Sequence, residues 1–249
     1  MSKLLVKFYI LIITISVYAF LIFQINISIS KNIKKVHFAK KLKISGYLFT
    51  ENKREIAKYR VDTRSQNILL IGDSMSKWLR YRLQDYCEEN NHNLSTVTWV
   101  SGNTKWFAET DTLKYYINKH SASYVILVLG SNELFIRDIA TRRAKYVDKI
   151  TETLNTVKWV WVGPPNWKND TGINKLLEDK LGNEQFFLSK NLNFQRQKDG
   201  MHPTVKSCSM WVDSITSWIT NTNQSRILLK YPTKERKVLK PDALVLKPI

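Results

Sequence analysis

Cysteine is nearly absent from this chain: its 249 residues include only Cys87 and Cys208. That excludes a disulfide-stapled scaffold and a cysteine-rich zinc site. Histidine is scarce too, with four copies and no H-x-x-x-H pair, so no metal centre is signalled. No internal repeat and no low-complexity tract is present, which argues against a solenoid and against wholesale disorder. Acidic residues are few, 21 against 39 Lys and Arg, leaving a net charge of +18.

The location of that excess decides what it implies. Residues 1–60 carry +10 and residues 222–249 carry +5, which leaves +3 for residues 61–221. A nucleic-acid-binding core would show the reverse, so nucleic acid is not an expected partner. Basic flanks suit anionic lipid or an acidic polymer, although solvated lysines need no partner at all.

What is present at the N-terminus is a long apolar run. From Phe8 to Phe23 only Thr14 and Ser16 are polar, and no charge occurs before Lys31. At ~1.5 Å per helical residue the run reaches roughly 30 Å, the thickness of a bilayer core. Lys3 and Lys7 precede it, as in an export signal, and no A-x-A cleavage site follows. Residues 1–30 are therefore read as an uncleaved signal anchor, with a cleaved signal peptide as the alternative. Lys31, Lys34, Lys35, Lys40, Lys41 and Lys43 follow the run, and the positive-inside rule would hold them in the cytoplasm. The export-like start argues the opposite orientation. Residues 31–66 read as a basic juxtamembrane stalk, 67–221 as one domain, and 222–249 as a basic tail.

Within the domain, strand and helix patterns alternate. Strands are predicted at 67–71 (NILLI), 96–100 (TVTWV), 124–129 (YVILVL) and 158–162 (KWVWV). Helices are predicted at 76–89, 112–119, 141–155, 172–181 and 205–220. Alternation of this kind implies an α/β fold, a doubly wound and mostly parallel sheet with helices on both faces. Cys87 and Cys208 fall on the first and last helices, at different heights, and are expected to be two free buried thiols. Such sheets bind ligands beyond the carboxyl ends of their strands.

The chemically capable residues lie at those ends. Gly72-Asp73-Ser74-Met75 follows the first strand, Ser101-Gly102-Asn103 the second, and Gly130-Ser131-Asn132-Glu133 the third. Asp199-Gly200-Met201-His202-Pro203 precedes the last helix. Taken singly, each is an ordinary turn or helix cap. Taken together and in this order, they resemble the blocks of the SGNH hydrolases, the GDSL-type esterases. Ser74, Gly102, Asn132 and His202 match the four residues that name that class. The resemblance covers residues 67–221, and Glu133 departs from the aspartate that often ends the third block.

The resemblance implies a flavodoxin-like three-layer α/β/α fold and an esterase that needs no cofactor. Ser74 would be the nucleophile, His202 its base and Asp199 the carboxylate that orients the base. The Ser74 N–H, the Gly102 N–H and the Asn132 amide would form the oxyanion hole. Asp73 is expected to hold the turn through local hydrogen bonds. Membrane-tethered members with this layout imply an extracytoplasmic domain acting on O-acetyl groups of a cell-wall or surface polysaccharide. They also imply a membrane-bound acyltransferase as a partner protein. Trp106 and Trp167, near the motif loops, are either sugar-stacking rings or core. An O-acyltransferase, a lipid-processing enzyme and a non-catalytic assembly partner of the same fold stay open.

Overall fold

In β1 (Asn67–Gly72) and β3 (Tyr124–Val128) nearly every residue is buried, so both faces of these strands must be covered. The computed structural model describes residues 60–233 and 243–249, within one unit spanning Tyr59–Ile249. The remaining strands are β2 (Asn93–Trp99), β4 (Lys158–Val162), β5 (Phe186–Phe187) and β6 (Ala243–Leu246). They form one sheet in the order β5-β4-β3-β1-β2-β6, and every pairing is parallel.

The two-residue period of the strands sorts the core into two layers. Leu69, Ile71, Val97, Val125 and Leu127 face one side. There they meet apolar residues of α2 (Thr104–Glu109), α3 (Thr112–Lys119), α4 (Ile139–Leu154) and α5 (Ile173–Leu181). Ile68, Leu70, Tyr124, Ile126 and Val128 face the other, against α1 (Leu79–Glu89) and α6 (Val205–Asn221). The result is a three-layer α/β/α sandwich.

Most predicted elements are present with shifted ends. The first helix begins at Leu79 rather than Ser76, because Ser74–Ser76 forms a separate 3-10 turn. Helix α2 escaped the sequence reading; it is short, and its cap is Asn103, whose side chain accepts from the Trp106 N–H. Contacts also run beyond residues 67–221. Asp62 and Arg226 to Leu228 exchange backbone hydrogen bonds, and Ile227 and Leu229 are buried. Strand β6 pairs with β2, and the Trp99 indole donates to the Lys247 carbonyl at 2.9 Å. Lysine-rich surroundings disguise these short apolar runs as tail. The anchor and most of the stalk, residues 1–59, lie outside the described residues. Among the described residues no helix is long and apolar enough to cross a membrane.

Cys87 and Cys208 are free and buried on neighbouring helices. Burial pushes both thiols up, Cys208 to about 12. Iodoacetamide is therefore expected to label neither thiol in the native protein and both after denaturation. Mass spectrometry checks this, and rapid native labelling of either cysteine would contradict it.

Candidate active site

Strand β1 has β2 on one side and β3 on the other, so the chain changes direction across the sheet beside β1. This is the switch point at which an open parallel sheet leaves a crevice. Ser74 follows β1 and Asn132 follows β3, so both stand at its rim.

Asp73 joins the two loops. Its carboxylate accepts the Met75 N–H at 2.9 Å and the Ser131 N–H at 3.1 Å. Its own N–H donates to the Val128 carbonyl at 3.0 Å. The side chain is fully buried, and burial raises its pKa to about 6 against the pull of those hydrogen bonds. An acid raised in the folded state binds an extra proton there. Its contribution to stability therefore falls as pH rises from about 4 to about 6, by up to about 3 kcal/mol. Asp73→Asn should remove that decline. Urea unfolding at pH 4, 5, 6 and 7 would show the difference between wild type and variant shrinking or reversing as pH rises; parallel curves would contradict it.

The base comes from a hairpin-like loop before α6. The Gln197 N–H donates to the His202 carbonyl at 2.8 Å and the Thr204 N–H to the Gln195 carbonyl at 2.9 Å. Arg196 ties this loop to the one after β4, donating to the Met201 carbonyl at 2.9 Å and the Asn166 carbonyl at 2.7 Å. At the tip, Asp199 accepts the N–H groups of Met201 and His202 at 2.8 and 2.9 Å. With the His202 ring these bonds lower its pKa to about 2, the Met201 N–H contributing most.

The loop brings three side chains into one line. His202 Nδ1 and Asp199 Oδ2 are 2.7 Å apart, and His202 Nε2 and Ser74 Oγ are 3.0 Å apart. A proton on Nδ1 donated to Asp199 leaves Nε2 as the acceptor for the Ser74 hydroxyl. The carboxylate thus selects the tautomer that a general base requires.

The Ser74, Gly102 and Asn132 N–H groups are placed less uniformly. The Ser74 N–H meets no acceptor among the described residues. The Asn132 amide donates one N–H to the Gly102 carbonyl at 2.8 Å and keeps the other. The Gly102 N–H donates to the Trp99 carbonyl at 2.9 Å, so an oxyanion would have to share it.

A scan of protein-family models and a search of curated proteins find no match to this chain. Among solved structures, it is similar to the psychrotrophic esterase EstA from Pseudoalteromonas sp., at 16% identity and a TM-score of 0.48. That match covers 63% of this chain and 100% of EstA. A family 3 carbohydrate esterase of Clostridium thermocellum matches at 14% identity and a TM-score of 0.45, over 62% of this chain and 94% of that one. A two-domain esterase active on acetylated mannans matches at 12% identity and a TM-score of 0.47, over 74% and 56%. These are likenesses of backbone.

Two further residues organise the rim. Glu133 is completely buried; its carboxylate pairs with Arg143 at 2.7 Å and accepts from the Thr104 N–H and hydroxyl. Burial raises its pKa despite these partners. It thereby fastens the Asn132 loop to α2 and α4, a task the motif pattern did not reveal. Trp106 packs on Trp99 with ring centroids 5.6 Å apart, and it and Trp167 are both partly buried against the core. Trp167 stands edge-on to Phe135 at 5.9 Å, and Phe135 is about half exposed. Among the described residues no cluster could hold a metal ion.

Proposed function

We propose that this chain is a serine ester hydrolase acting on O-acyl groups, acetyl above all, of a polysaccharide at a membrane surface. The observation that supports it is the continuous Ser74–His202–Asp199 hydrogen-bonded line. In this reading the Ser74 oxygen attacks the ester carbonyl while His202 Nε2 takes its proton. The oxyanion is met by the Ser74 N–H and the remaining Asn132 N–H. The imidazolium, steadied by Asp199, returns the proton to the departing sugar oxygen. Water then repeats the sequence on the acyl-enzyme and regenerates the serine.

The openness of the site supports a bulky acyl-bearing substrate. The side chains of His202 and Asp199 are 27% and 38% exposed, where an enzyme for long acyl chains needs an enclosed apolar tunnel. The apolar N-terminal run would tether the domain to the membrane, outside the cytoplasm.

Acetate release from acetylated xylan, measured beside hydrolysis of p-nitrophenyl palmitate, tests this reading. Acetyl release is expected to be faster by at least about 100-fold in kcat/KM, because the exposed His202 and Asp199 side chains leave the acyl group facing solvent. Preference for the palmitate would overturn the acetyl assignment. Transfer of acetyl to an added oligosaccharide, without free acetate, would overturn hydrolysis.

A further inference from the structure

A groove of about 640 Å³ lies between the loop after β4, the start of α5 and the segment after β5. That is room for one or two sugar rings. Its lining includes Asn166, Trp167, Lys168, Asp170, Lys175 and Lys190. Three cations therefore face one carboxylate.

Against the effect of burial, hydrogen bonds from Asn174, Asn166 and Gly172 and the nearby Lys190 charge hold Asp170 below the usual carboxylate range, so it stays anionic and offsets one of the three cations. Asp170 accepts the Gly172 N–H at 2.8 Å, the Asn166 amide at 2.7 Å and the Asn174 amide at 3.1 Å. Lys175 pairs with Asp179. Among the described residues, neither Lys168 nor Lys190 is in an ion pair.

The groove is linked to the loops that carry His202 and Asn132 through two contacts. Asn166 is bonded through Arg196 to Met201, the neighbour of His202. Trp167 meets Phe135, three residues beyond Asn132. Trp167 lines the groove while partly buried against the core, and Phe135 beside it is about half exposed. Sugar rings pack on exposed aromatic faces, and ammonium groups attract acidic substituents.

We infer that this groove is a subsite for an anionic sugar unit, a uronate or a phosphodiester-linked residue, next to the unit whose acyl group reaches Ser74. It rests on the esterase reading for its relation to Ser74, but the groove can be measured without turnover. The probes are a polygalacturonate decamer, a poly(glycerol phosphate) decamer and a neutral xylan oligomer of equal length, all free of acetyl groups. Titration calorimetry on the full chain would compare wild type, Lys168→Ala/Lys190→Ala and a control, Lys114→Ala/Lys149→Ala, that removes equal charge outside the groove.

At least one acidic oligomer is expected to bind about tenfold tighter than xylan, and the groove variant to lose roughly that factor while the control does not. The tighter of the two acidic oligomers names the charged group. Equal affinity for acidic and neutral oligomers, or equal losses in groove variant and control, would overturn the inference. An inactive enzyme that still binds the acidic oligomer through the groove would instead count against the esterase reading alone.

Discussion

Ser74→Ala is expected to lower hydrolysis of p-nitrophenyl acetate by roughly 10⁴- to 10⁶-fold, the loss seen when a serine nucleophile is removed from a triad acting as a unit. The serine has no structural duty that explains such a loss. Its hydroxyl faces His202, and the turn is held by Asp73 and Ser76 instead. Circular dichroism and thermal unfolding should therefore be almost unchanged. A fluorophosphonate probe should label wild type on Ser74 alone and leave the variant unlabelled. Retention of most activity by Ser74→Ala, or labelling at another serine, would rule out the proposed chemistry.

Gly72→Ala should cost stability. A Cβ at residue 72 would sit 2.0 Å from the Val128 carbonyl oxygen, which belongs to the backbone of the neighbouring strand. Backbone cannot swing aside as a side chain does, so β1 and β3 would have to separate at their carboxyl ends. The expected cost is about 3 kcal/mol or more, read as a lower urea midpoint. The same displacement would move Asp73 away from Ser131, whose N–H it accepts at 3.1 Å. A variant as stable as wild type would show that the strands have room to adjust.

The sheet and its layers were legible because the signal is local. NILLI and YVILV are too short and too apolar to be surface helices, and their alternation with amphipathic segments leaves few topologies. The thiols were legible for the same reason: lone cysteines on helices that face a sheet are buried. Elements without a strong local signal were missed. Helix α2 has six residues, and β6 is four apolar residues among lysines. Only its pairing with β2 gives β6 a place, and that pairing spans well over a hundred residues of chain.

The candidate site divides in a similar way. Ser74, Asn132, Asp199 and His202 could be singled out only as an ordered set at successive strand ends, since each alone reads as an ordinary turn or helix cap. Glu133 gave no such signal. Its burial depends on Thr104 and Arg143, which approach it from two separate helices. Arg196 was likewise silent, since its two acceptors are backbone carbonyls that any residue could supply.

Sequence alone determined the fold class, the strand ends on which the reactive residues fall and the long apolar run at the N-terminus. These follow from hydrophobic period, residue chemistry and chain order, all of which are local. Tertiary structure decided the rest. It set the 3.0 Å approach of His202 to Ser74 across 128 residues of sequence, the engagement of the Gly102 N–H by Trp99, and the gathering of Lys168, Lys175 and Lys190 around one groove. Distances between side chains on separate loops depend on how the layers pack, and no local pattern encodes packing.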